Sequence, residues 1–300
     1  MECLGEAREY DYWFFSSVTG DSFTQIFSKD PYYSTLCLTD RLLSDVIDSA
    51  FDSCGYTYDY INGINAENRT DHYDRIREYI DRGIPVIVKT KTGNSVIDDY
   101  GVICGYEDDV FYYLIGGDEK PAVCPDRFSE LIFIKDKKER LPLAEVYRKT
   151  VMDIPEMLNR SESKDFSFGI KAFIDWANSF QNGMFDKISV DDPLWYTHDC
   201  NTFSCWNTHG NYLCMLGTNL CANGFLERAL QLNPDMKFIE KLFPLFQRHN
   251  GDGFHSLLGM ERGFGIHPKV IKDKNRMKPV SGKILETSRI LDEILDVFKS

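Results

Sequence analysis

The chain has no run of about 18 apolar residues, the length a helix needs to span a bilayer. Its start, Met1 to Glu6, lacks the basic residues and the apolar stretch of a signal peptide. Both absences lead to the expectation of a soluble, cytoplasmic protein without a membrane partner. Basic residues are scarce: 34 Lys and Arg stand against 47 Asp and Glu, for a formal charge of −13 over 300 residues. A general nucleic-acid binder needs a basic face to displace counterions, so nucleic acid is excluded as a partner. The same deficit excludes a polybasic lipid anchor. Histidine is rarer still, with six in all, and His72 is the only one before residue 198. No Cys-x-x-Cys pair occurs among the nine cysteines, which in a reducing compartment act as small buried hydrophobes. The Gly-x-Ser-x-Gly elbow and the His-Glu-x-x-His helix are also missing. Lys91-Thr92-Gly93 lacks the spacing of a phosphate loop and reads as a hairpin turn. Glu107-Asp108-Asp109 lacks the calcium-loop spacing and reads as a solvated turn.

What is present is an ample core, with 43% hydrophobic residues, distributed unevenly. Residues 1–150 carry 28 acids against 17 bases, whereas residues 151–300 carry 19 against 17. Of 16 tyrosines, 14 precede residue 148. Two compositions suggest two domains, 1–140 and 141–300. In the first, Leu42, Leu43, Val46, Ile47, Ala50 and Phe51 recur at helical spacing after Asp40, an N-cap, and Gly55 is the stop. A second helix runs from about Thr70 to Gly83 and buries Ile76, Tyr79 and Ile80. The period then changes. The β-branched run Ile84–Thr90, then Tyr100–Tyr106, Val110–Ile115 and Leu131–Ile134 form an antiparallel meander.

The second half reads as helical. A helix over Leu143–Val151 ends before Pro155, the polar run Arg160–Asp165 is a linker, and Ile170–Phe180 forms a helical stripe stopped by Gly183. Asp192-Pro193 is a helix start, and further helices fall near 219–231, 235–248 and 278–298. Nothing after residue 160 alternates like a strand, so this half is expected to be an all-α bundle or array. His198, Cys200, Cys205, His209 and Cys214 are the densest set of metal-ligand types. Positions 198, 205 and 209 share a helix face, but the interleaved Phe203, Trp206 and Tyr212 make it read as a packed core face. No metal and no cofactor are expected.

The order of motifs in the first half resembles a known family. Cys3-Leu4-Gly5-Glu6, Tyr10-Asp11-Tyr12 and Val18-Thr19-Gly20-x-x-Phe23 are similar to the start of the butirosin-biosynthesis-protein-H type N-terminal domain. Ile80-Asp81-Arg82-Gly83-Ile84-Pro85-Val86 and Gly101–Asp108 are similar to its core. The resemblance implies an α+β chain: a papain-like N-terminal domain with an antiparallel sheet, followed by a helical domain seen in bacterial members. It also implies where catalysis would sit, and there this chain departs. In active papain-like relatives a Cys opens a helix well upstream of the Leu-Gly; here Leu4-Gly5 almost opens the chain, so the nucleophile helix is expected to be missing. The position of the catalytic His corresponds to Asp99, flanked by Asp98 and Tyr100, and an aspartate cannot act as the imidazole partner of a thiol. Asp118 corresponds to the third position. No catalytic residue is carried over.

The reading favoured by these residues is a pseudoenzyme, a non-catalytic papain-like protein whose cleft binds a small molecule or peptide. The expected ligand-binding residues are Trp13, Thr19, Gly20, Phe23, Asp99, Tyr100, Tyr106 and Asp118. An acidic wall of Asp98, Asp99 and Asp118 would favour a cationic ligand such as an amine or an aminoglycoside-like compound. The alternative is a thiol-dependent acyltransferase or peptidase like the family's characterised members. A third reading is a protein-interaction module. The oligomeric state is not legible in the sequence.

Overall fold

Alternation of apolar and polar residues between positions 56 and 137 builds one antiparallel sheet, and helical spacing governs most of the chain after residue 140. The structure is a computed structural model that describes residues 5–6, 9–32, 43–90, 99–115, 120–126, 128–189, 208–218 and 221–299. By contact the chain divides into two compact units, Met1–Asp11 with Phe51–Arg140, and Tyr12–Ala50 with Leu141–Ser300. Tyr12–Ala50 therefore clusters with the second half of the chain, not with the sheet that the sequence groups it with. The reason is apolar burial: Phe14, Phe23 and Ile26 are all core residues of the helical unit. No helix among the described residues is long and apolar enough to cross a membrane.

Helix α2 (Leu43–Cys54) leads into the sheet unit and ends at Gly55, whose φ of +74° is the left-handed conformation that glycine adopts without strain. Strand β2 (Tyr56–Ile61) comes next, then a short 3-10 turn and helix α3 (Tyr73–Asp81). Strands β3 (Val86–Thr90), β4 (Asp99–Glu107), β5 (Val110–Ile115), β6 (Ala122–Val123) and β7 (Phe128–Lys137) complete the sheet. Its order is β2-β7-β3-β4-β5-β6 with every pairing antiparallel, so β7 inserts between β2 and β3 and the topology is not a simple meander. Alternate residues point to one face: Val86 and Val88, Ile103, Phe111 and Tyr113, and Leu131 and Phe133 pack with Ile76 and Tyr79 of α3. Each such buried side chain contributes roughly 2 kcal/mol. Gly101 is required on β4, because a β-carbon there would lie 2.6 Å from the Tyr113 ring.

In the helical unit, α1 (Tyr12–Val18) is followed by β1 (Ile26–Ser28). After residue 140 come α4 (Leu143–Met152), α5 (Ile154–Leu158), β8 (Phe166–Phe168) and α6 (Gly169–Ser179). Next are α7 (Thr208–Thr218), α8 (Cys221–Leu232), α9 (Ile239–Phe246), a π-helical turn (Gln247–Asp252), α10 (Gly253–Leu258), α11 (Pro268–Ile271) and α12 (Lys274–Lys299). Two expectations are corrected. This half is not all-α, because β8 pairs antiparallel with β1, a strand of three residues being too short to show a period of two. Arg160–Asp165 is not a linker between units; it lies within the helical unit and leads into β8, where Lys29 N donates to the Asp165 carbonyl at 2.9 Å. The helix over Leu143–Val151 does end before Pro155, which stands in the first turn of α5. Gly169, at φ +56°, opens α6 tightly against the Leu158 carbonyl, where any β-carbon would collide with the oxygen.

The core of this unit is aromatic, and it encloses two histidines. Tyr147 stacks on Phe225 at 4.4 Å, and Phe23 meets Phe246 at 5.6 Å. Trp176 Nε1 donates to His209 Nδ1 at 3.1 Å, so the neutral His209 carries its proton on Nε2, which finds no partner among the described residues. His249, in the π-helical turn, bonds the Asn250 side chain through Nδ1 and faces Phe173 at 5.2 Å. Burial among these rings pushes His209 down to about 3 and His249 down to about 4. The unfolded chain therefore binds these protons first, near its ordinary value of about 6.5. The stability contributed by the neutral imidazoles is complete above that pH and is lost as pH falls through about 4 and then about 3. Between about pH 6 and pH 4, each imidazole is expected to cost about 1.4 kcal/mol per pH unit. Urea unfolding followed by tryptophan fluorescence at pH 4 to 7 checks this; a flat profile contradicts it, and His209→Gln should remove close to half of the slope.

Candidate functional site

Charge inside the apolar sheet marks the first place with chemistry. Lys89 on β3 stands opposite Tyr100 on β4 and Glu130 on β7, on the face of the sheet away from α3. Its ammonium is buried, 3.3 Å from the Glu130 carboxylate and 5.3 Å from the centre of the Tyr100 ring. The Tyr100 hydroxyl donates to Glu130 Oε2 at 3.2 Å. Burial, then the Glu130 charge, pushes the Tyr60 phenol up to about 12. Among the described residues the cluster comprises one ammonium, one carboxylate and two phenols. Such a set positions and polarises hydrogen-bonding groups; the acidic wall expected of Asp98, Asp99 and Asp118 falls on side chains outside the described residues.

A second feature lies at the end of α3 and β5. Three rings, Tyr73, Phe111 and Phe128, floor a cleft of about 390 Å³, with Tyr73 edge-on to Phe111 at 4.9 Å. Asp109 and Asp126 stand at its rim with the exposed Val110 and Val123. Arg77 pairs with Asp109 and lies 5.8 Å from the Tyr73 ring centre and 6.0 Å from that of Phe111. Arg69 pairs with Asp126 at 3.6 Å. In the cleft wall, Cys124 is buried, and burial together with the Asp126 charge pushes its thiol up to about 12. Cys54 is pushed up to about 12 by burial and by Glu6. Burial raises Cys214 as well. A nucleophilic thiol needs the opposite shift.

No protein-family model and no curated protein matches the chain.

The expected ligand-binding residues are not gathered in one described place. Tyr100 belongs to the Lys89 cluster. Tyr106 packs instead with the α3 core, 6.4 Å from Phe111, and its hydroxyl donates to Asp81 at 2.9 Å. Both lie on β4 at even positions, but a bulge between Ile103 and Gly105 inverts the alternation and turns them to opposite faces. Asp99 opens β4 opposite Thr90; its side chain, Asp98 and Asp118 lie outside the described residues. Trp13, Thr19, Gly20 and Phe23 are in the helical unit. Thr19 Oγ1 donates to the Phe15 carbonyl at 2.7 Å, and Gly20, at φ +87°, stops α1. Phe23 is a core residue, while Trp13 is 41% exposed and its ring covers Gly224 of α8. Their shared work is to end α1 and pack it. His198, Cys200 and Cys205 lie outside the described residues, and no group of three metal-ligand types converges among those described.

Sequence reasoning passes over Lys89, Glu130 and the ring-floored cleft. A signal exists for the first two, since each is a charged residue inside or beside an apolar strand run, where charge is tolerated only when paired. Removing one partner leaves the other buried and uncompensated. Lys89→Met or Glu130→Met alone is expected to cost about 3 kcal/mol, whereas the double replacement costs less than either single one. Urea denaturation of the full chain measures all three, and additive losses would contradict the pairing.

Proposed function

We propose that this protein binds a small cationic ligand, an amine or an aminoglycoside-like compound, without catalysing a reaction on it, on an N-terminal domain of papain-like descent. One observation carries the reading: a cleft floored by three rings has two carboxylates, Asp109 and Asp126, in its lining, and beside it the Arg77 guanidinium pairs with Asp109 and lies 5.8 Å from the Tyr73 ring centre. Aromatic faces attract cations through the negative potential over the ring, and a carboxylate beside them adds to it. The volume of about 390 Å³ lies within the range of small-molecule sites. The raised thiols of Cys54, Cys124 and Cys214 support a binding role over thiol catalysis at those three positions. The Asp99-Tyr100 start of β4, where the resembling enzymes carry an imidazole, supports it too.

The cation is expected to come from solution and to lie across Tyr73 and Phe128, with its charge between Asp109 and Asp126. Thermal-shift and calorimetric titration with spermine and an aminoglycoside should show saturable binding, absent with spermine-sized polyanions. Asp109→Asn and Asp126→Asn should each weaken it about tenfold, or about 1.4 kcal/mol. Equal shifts with cations and anions, or affinity unchanged in both variants, would sink the proposal.

A further inference from the structure

The helical unit carries a larger groove of opposite character. It measures about 650 Å³ and lies between the β1–β8 ribbon and α6. Lys171, Asp175, Asn178 and Asn182 succeed one another at spacings of four, three and four, so the polar face of α6 and the turn after it form one wall. Lys29 and Glu162 come from the ribbon side, and Lys187 closes the far end.

The polar groups are not balanced. Lys29 Nζ lies 2.7 Å from Glu162, whose carboxyl is held below its usual range first by that hydrogen bond and then by the charges of Lys29 and Lys171. Asp175 receives Lys171 on both oxygens and the Ser167 hydroxyl as well. Both acids are thus satisfied within the fold. Lys187 has no ion pair among the described residues, and the Asn178 amide has no hydrogen bond there. The Asn182 amide oxygen accepts from Met184 N at 3.0 Å, which leaves its NH₂ free to donate. The unused groups are donors and the unused charge is positive. Phe27, Pro31 and Met184 add an apolar end. On a chain of net charge −13, a groove with three lysines and two neutralised acids is a local inversion of the field.

We infer that this groove is a second ligand site, for a small organic monocarboxylate with an apolar chain. The carboxylate accepts hydrogen bonds from Lys187 Nζ and from the Asn178 and Asn182 amides, and the chain lies against Phe27, Pro31 and Met184. The site rests on the helical unit alone and is independent of the cation cleft. The test is calorimetric titration of the full chain with hexanoate, acetate, inorganic phosphate and hexylamine. Hexanoate should bind at least tenfold more tightly than the other three. Lys187→Glu should weaken hexanoate about tenfold and Asn178→Leu several-fold, while Lys237→Glu, at an exposed residue that does not line the groove, leaves it unchanged. Circular dichroism confirms that the variants fold. Hexylamine or phosphate binding as tightly as hexanoate, no binding of hexanoate, or an unaltered affinity in Lys187→Glu would each overturn the assignment.

Discussion

Register in the sheet unit depends on one buried ammonium. Lys89 alternates with Val88, which is fully buried against α3. A slip of β3 by one residue would place the charge in that apolar core and Val88 opposite Tyr100 and Glu130. The cost of a buried unpaired charge far exceeds that of any single misplaced methyl group, so the pairing of β3 with both neighbours is specified by Lys89 more than by its hydrophobic residues. The remaining strands are placed from there. With β3 fixed, β4 runs from Asp99 to Glu107 at a defined height, the bulge after Ile103 turns Tyr106 toward α3, and β5 brings Phe111 under Tyr73 to floor the cleft.

The helical unit is held by a different constraint, the burial of its imidazoles. His209 and His249 can stay neutral only while Trp176, Phe173 and Phe180 remain packed about them, and those rings belong to α6 and its C-terminal end. The position of α6 is set in turn at Gly169, where the chain passes against the Leu158 carbonyl, and along α12, where Ser281 Oγ donates to the Ala177 carbonyl at 2.8 Å. The same helix turns its polar stripe outward to form a wall of the groove. Core and groove are two faces of one amphipathic helix, and a change that moves α6 alters both.

Much of this is legible from residue patterns. The helix over Ile76 and Tyr79, the strand from Tyr100, the stripe of Ile170 to Phe180 and the stops at Gly55, Gly83 and Gly183 rest on local periodicity and on glycine's tolerance of positive φ. Strand β2 escapes such a reading although Tyr56, Tyr58 and Tyr60 alternate with Thr57, Asp59 and Ile61, because a half-polar ring such as tyrosine blurs the apolar count. The insertion of β7 between β2 and β3 is hidden too, since pairing over some 75 residues is decided by which faces fit and not by local sequence. The cleft is illegible for the same reason: Tyr73, Phe111 and Phe128 are distant in sequence and converge only once the sheet is ordered. The polar stripe of α6, by contrast, stands in plain view as the complement of its apolar one.

The acidic excess of the first half also takes on a different meaning. Several of its described carboxylates are held in pairs, among them Asp59 with Arg75 and Lys135, Glu9 with Arg140, Asp109 with Arg77 and Asp126 with Arg69. Exposed pairs of this kind are screened over about 8 Å at physiological salt and contribute little to stability. Their field at a distance is therefore weak, and selectivity at the cleft must arise at contact range. At that range the rings matter more than net charge, because the attraction of a cation to an aromatic face survives where long-range attraction is screened. An acidic composition by itself thus says little about the ligand; what matters is that two of these carboxylates stand beside three rings.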